Sequence, residues 1–175
     1  MFNVELPMSD SMDEYLDFIL KHVRPMSEDL REVDFWWGKR WMEVRDDMNF
    51  HEAVIHMFSE GGGYMVSVDG NVSTGAWEDI EHPNAIILAY GGRHEMYDLA
   101  FLNDDFFILK KHGDQRRKGQ RKYFVMGHER AVSGLEWRDC MEYMFNIYRN
   151  NSRWTGTLAV VVAVIIVILA LSVFR

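Results

Sequence analysis

Between Asp34 and about Gly127, turn residues recur roughly every ten positions, and no interval between them is long enough for a crossover helix. The breaks fall at Arg45-Asp46-Asp47, Gly61-Gly62-Gly63, Asp69-Gly70-Asn71, His82-Pro83-Asn84, Gly91-Gly92 and Asn103-Asp104. They delimit candidate strands at 35–45, 50–59, 63–69, 72–80, 84–90, 94–102, 105–112 and 120–127. Parallel pairing needs helical crossovers, so these strands must pair antiparallel. The expected fold is mainly β (α+β): an up-and-down antiparallel meander or small barrel over 34–128. Asp69-Gly70 and Asn103-Asp104 carry the residue types that short hairpin turns require.

A period of two assigns faces. Tyr64, Val66 and Val68 share one side of their strand. Ile86-Ile87-Leu88 and Phe106-Phe107-Ile108-Leu109 are apolar on both sides, so something must cover the outside of the sheet there. An N-terminal helical segment (1–33), an amphipathic helix after the sheet (133–150) or a second subunit would serve. Over 9–24, Met12, Tyr15, Leu16, Ile19, Leu20 and Val23 form one stripe, Ser11 and Glu14 have capping-box spacing, and Pro25 stops the helix. After the sheet, Ser133 and Glu136 repeat that spacing, and Trp137, Cys140, Met141, Met144 and Tyr148 make a second stripe, expected to dock on the domain.

The rhythm of the sheet resembles that of small lipocalin-like β-meander domains. It begins with an early Trp41, continues through Phe58 to Tyr64 and an Asp69-Gly70-Asn71 turn leading to Gly75 and Trp77, and ends in the hairpin around Tyr97-Asp98-Leu99 and Asn103-Asp104. The resemblance covers about residues 36–126. It departs from secreted lipocalins in placing Gly75-Ala76-Trp77 in the fourth strand. It implies a barrel or curved sheet with an apolar cavity, for which Trp36, Trp41, Tyr64, Trp77 and Tyr97 are the expected lining.

From Trp154 to Phe174 the chain carries no charged side chain. A helix rises about 1.5 Å per residue, so such a run spans the ~30 Å hydrocarbon core. The opening residues lack a basic stretch followed by an apolar one, so no signal peptide is expected. The expectation is a single-pass, tail-anchored membrane protein with its domain on the cytosolic side. One cysteine, Cys140, excludes a disulfide within the chain and suits a reducing compartment. Val and Ile dominate the span, which lacks the polar groups of a channel or transporter. The tail therefore reads as an anchor.

The net charge of −8 argues against a nucleic-acid partner. One stretch opposes it: 110–122 holds seven Lys/Arg against one acid. Lys110, Lys111, Arg116, Arg117, Lys118, Arg121 and Lys122 are thus the candidate residues for an anionic surface, such as a cytosolic leaflet. His51 and His56 are five apart, a spacing that directs them to opposite faces of a strand, so no metal site is expected. No Gly-x-Ser-x-Gly elbow or P-loop occurs. The carboxylate pairs Asp46/Asp47 and Asp104/Asp105 fall in turns. No catalytic residue, metal or cofactor is assigned. The expected function is a non-enzymatic, tail-anchored module that binds a small ligand, a lipid headgroup or a protein partner at a membrane surface, with homo-oligomerisation open. The alternatives are a ligand-gated membrane effector that senses a cyclic nucleotide, or an accessory subunit of a membrane complex.

Overall fold

The computed structural model describes residues 9–47, 52–80, 84–113, 121–149 and 162–166. Eight antiparallel strands follow one another around a closed barrel: β1 (Trp41–Val44), β2 (Val54–Ser59), β3 (Gly63–Val68), β4 (Asn71–Ile80), β5 (Ala85–Tyr90), β6 (Arg93–Leu102), β7 (Phe106–Lys111) and β8 (Tyr123–His128). The first and last strands close it, with Trp41 opposite His128 and Val44 opposite Val125. The up-and-down meander read from the turn spacing is therefore a complete barrel. At Asp69-Gly70 both residues have positive φ (48° and 88°), the twist a tight hairpin needs. At the β6–β7 hairpin the side chain of Asn103 accepts hydrogen bonds from the backbone N–H groups of Asp105 and Phe106.

The first strand is much shorter than the expected 35–45. Residues Val33–Phe35 form a 3-10 turn, and the chain reverses at Gly38, whose φ is +66°. This turn sends the Trp36 ring into the barrel, where its Nε1–H donates to the Leu30 carbonyl at 2.9 Å. The other strand ends lie within a few residues of the spacing-based boundaries.

Register divides the side chains into two cores. Inward-facing positions include Trp41, Phe58, Tyr64, Val66, Ile86, Leu88, Phe107, Leu109 and Met126, which form the barrel interior. On the outside, Val44, Phe106, Ile108, Tyr123 and Val125 form a second core with two helices. One helix is α1 (Met12–Val23), contributing Met12, Leu16, Ile19, Leu20 and Val23. The other, α3 (residues 137–149), follows the four-residue α2 (Glu129–Val132) and contributes Cys140, Met141, Met144 and Phe145. The apolar outer face of β7 is thus covered by both amphipathic helices together, within one chain.

Neither expected capping box forms. Ser11 makes no side-chain cap. Instead Ser9 Oγ accepts from the Ser11 N–H and donates to Glu14, and the Met12 N–H donates to Asp46 at 2.9 Å. Ser133 ends α2 rather than opening the next helix, which starts at residue 137.

Of the apolar run 154–174, only 162–166 are described; they are helical and exposed. The expected span otherwise lies outside the described residues, among which no helix is long and apolar enough to cross a membrane.

Candidate functional site

The two ends of the barrel are chemically different. At the end formed by the β2–β3, β4–β5 and β6–β7 turns, aromatic rings fill the interior. Trp36 packs on Phe58, Trp77 and Phe107 at centroid distances of 5.5, 4.9 and 5.6 Å, and Trp41 packs on Phe107 at 5.7 Å. Two more of its indoles are anchored: Trp41 Nε1–H donates to the Trp36 carbonyl at 3.0 Å, and Trp77 Nε1–H to the Ser59 carbonyl at 2.9 Å. This end is a plug.

The opposite end, where β1, β3, β5 and β7 finish, opens into a cavity of about 370 Å³. Its lining combines rings (Tyr64, Tyr90, Tyr97, Phe124) with polar groups on inward-facing positions (Glu43, His56, Glu95) and Arg45 and Arg93 nearer the rim. Two hydrogen-bonded networks converge on it. In the deeper one, Glu43 accepts two bonds from the Arg45 guanidinium at 2.5 and 2.7 Å and lies 3.3 Å from His56 Nε2. The other imidazole nitrogen, Nδ1, is 2.7 Å from the Tyr64 hydroxyl. With its proton on Nε2, the imidazole donates to Glu43 and accepts from Tyr64. In the second network, Glu95 accepts from the Tyr97 hydroxyl at 2.6 Å and from Lys111 Nζ at 2.7 Å.

These environments set the ionisation. Burial pushes the Glu43 carboxyl up, but the hydrogen bonds from His56 and Arg45 more than offset it and hold its pKa below the ordinary 4.5. Glu95 is held low by its bonds from Lys111 and Tyr97. Burial raises the pKa of Tyr64, and burial with the Glu95 bond raises that of Tyr97. Both phenols are therefore neutral hydrogen-bonding groups at physiological pH, and neither is an activated nucleophile.

The five aromatic residues expected to line a cavity are split by the structure. Tyr64 and Tyr97 line it; Trp36, Trp41 and Trp77 belong to the plug. Glu43, His56 and Glu95 were not among the expected lining. The signal for them is the period of two: Glu43 follows Trp41, His56 precedes Phe58, and Glu95 precedes Tyr97 on the same faces. His51 lies outside the described residues. Among the described residues no group of three or more His, Cys, Asp or Glu is placed to hold a metal ion.

The basic stretch is also divided. Lys111 faces inward onto Glu95. Lys122 pairs with Asp17 of α1 at 2.5 Å, and Arg121 pairs with Asp46 and Asp47. Lys110 is exposed. Arg116, Arg117 and Lys118 lie outside the described residues. Three of the seven cations thus hold the barrel to its own acidic groups. A larger groove of about 720 Å³ runs outside the barrel beside α1, lined by Lys21, Arg24 and Lys122 facing Asp17, Glu28 and Asp98. Its charges face one another across an open surface, and the buried Tyr123 hydroxyl at its wall is taken up by Asp17.

Comparison with protein-family models, curated proteins and solved structures found no match for this chain.

Proposed function

We propose that this protein is a non-enzymatic binding module whose barrel mouth receives a small soluble ligand, and whose 154–174 segment anchors it in a membrane with the domain on the cytosolic side. One observation carries the ligand reading: a closed barrel packed solid at one end keeps, at the other, a cavity with a satisfied polar floor. At about 370 Å³ it falls within the range of small-molecule sites, about 300–1,000 Å³. A fold that needed only stability would fill this end as it fills the first.

The anchor reading rests on the uncharged run 154–174 and on the exposed, helical, apolar residues 162–166 within it. The path of the chain bears on orientation. Near the start of α3, Arg138 pairs with Asp10, just ahead of α1; near its end, Tyr148 sits 5.8 Å from His22 in the last turn of α1. The last turn of α1 leads to the segment whose Glu28 N–H donates to the Leu102 carbonyl, at the plugged end. Residue 149, the end of α3, therefore lies on the side of the plug, opposite the mouth. That arrangement favours a ligand arriving from water over a lipid headgroup.

Native mass spectrometry of the full chain, released from detergent micelles after expression in its own host, tests the ligand reading. A retained small molecule should be present in the wild type and absent from Val68→Trp, which obstructs the mouth. A wild type with no adduct under gentle release, or an adduct unchanged by Val68→Trp, would overturn it. Alkaline extraction of membranes tests the anchor: the chain should resist extraction, and deletion of 154–174 should release it.

A further inference from the structure

Building on the small-ligand reading, we infer that the mouth site selects a small organic ammonium ion, an amine with a compact apolar body. Four aromatic rings wall the cavity: Tyr64 stands 6.1 Å from Tyr90, and Tyr97 stands 5.9 Å from Phe124, ring centre to ring centre. The faces of such rings hold a cation through their quadrupoles, most effectively where water is excluded. Three carboxylates share the lining with them: Glu43, Glu95 and the exposed Glu52. The Glu43 side chain is only 9% exposed and that of Glu95 34% exposed. Rings beside ionised acids are the chemistry that recognises a positive charge on a hydrophobic body.

The protein already shows the interaction with a group of its own. The Lys111 side chain turns inward, and its ammonium sits 2.7 Å from Glu95 in the position a ligand amine would take. Lys111 Nζ is on a flexible stem at the end of β7, its side chain 26% exposed, and can swing to water at small cost. An entering ammonium ion exchanges one cation for another at Glu95 and leaves no charge unpaired. An entering anion faces the opposite situation. Exposed Arg93 could meet it only at the rim; deeper in the cavity Arg45 would have to abandon the Glu43 carboxylate it grips with two bonds, or Lys111 abandon Glu95, and the deserted carboxylate would then repel the ligand. The geometry thus discriminates by the sign of charge, with Glu95 as the binding carboxylate and Lys111 as a built-in competitor.

The test uses the full chain in neutral detergent micelles, labelled with 3-fluorotyrosine and assigned through Tyr90→Phe and Tyr97→Phe. Probes are phenethylammonium and tetramethylammonium, with phenethyl alcohol as the neutral analogue and adenosine monophosphate as an anion. Both ammonium probes should shift the Tyr64, Tyr90 and Tyr97 fluorine resonances saturably, and neither control should. Glu95→Gln should weaken binding at least about tenfold, and Lys111→Met should tighten it by about tenfold. The second variant is the decisive one, since misfolding cannot produce a gain in affinity. Equal binding of phenethyl alcohol, preferential binding of adenosine monophosphate, or no tightening in Lys111→Met would overturn the ammonium assignment while leaving a small-ligand site in place. Silence of all four probes in both wild type and Lys111→Met would overturn it as well, and the retained adduct in native mass spectrometry then decides the ligand reading separately.

Discussion

The Tyr64 hydroxyl lies 2.7 Å from Nδ1 of His56, and the two residues are only 3% and 5% exposed. Their rings stack with an interplanar angle of 10°, so β2 and β3 fix the pair from both backbone and side chain. A polar contact this deep holds the floor of the mouth in one arrangement, because each partner would be left unsatisfied without the other.

Tyr64→Phe removes the hydroxyl and keeps the ring. The imidazole then loses its Nδ1 partner in a buried setting, for which the expected cost is about 1–3 kcal/mol. Urea unfolding followed by tryptophan fluorescence measures it. A loss well below that range would mean that the floor rearranges or admits water.

Glu43 links stability to pH. Its pKa lies below 4.5 in the folded protein, so its contribution is fully present above the unfolded value of 4.5 and is lost as pH falls through the lower folded value. The wild type should lose stability on acidification below about pH 4.5, and Glu43→Gln, less stable at neutral pH, should lose less over the same interval. Parallel profiles from thermal melts across pH 3–6 would show that other carboxylates govern acid unfolding.

Gly127 sits against α2. A Cβ there would lie 2.3 and 2.8 Å from the two methyl groups of Val132, so Gly127→Ala must push α2 off the barrel wall. Overpacking of this kind costs about 1–3 kcal/mol. Gly127→Ala combined with Val132→Ala should recover part of the loss, a coupling that a double-mutant cycle reads directly.

Cys140 is fully buried in the outer core between α1, α3 and β7, and burial raises its pKa to about 12. Its maleimide labelling at pH 7 should be negligible in the folded protein and should rise with urea in step with the separation of α3 from the barrel. Rapid labelling in the absence of urea would place α3 off the wall in solution.

The barrel itself was legible because its determinants are local. Asp69-Gly70, Gly91-Gly92 and Asn103-Asp104 set hairpins within a few residues, and antiparallel order follows without long-range information. The need for an outer cover was equally visible in Phe106-Phe107-Ile108-Leu109. The mouth was not. Glu43 and His56 keep step with Trp41 and Phe58, but they are ionisable residues of the kind that usually mark a wetted face, and the pairing of β1 with β2 and β8 is what turns them inward. Likewise the charge of Lys111 reads as part of a basic run until register places it opposite Tyr97 on the inner face. Trp36 sits at the far end for a related reason: the turn at Gly38 converts what looks like a strand residue into part of the plug.

The seam between β1 and β8 ties together two stretches that enclose the whole sheet, with four residue pairs from Trp41–His128 to Val44–Val125. Every other junction joins neighbours in the chain and can form early. This one waits for the last strand, so until β8 arrives both β1 and β7 present bare backbone edges. A chain truncated before Tyr123 would keep seven well-formed strands and two adhesive rims, and would be expected to assemble with its own copies. Completion of the circle therefore rests on β8, which satisfies both open edges at once.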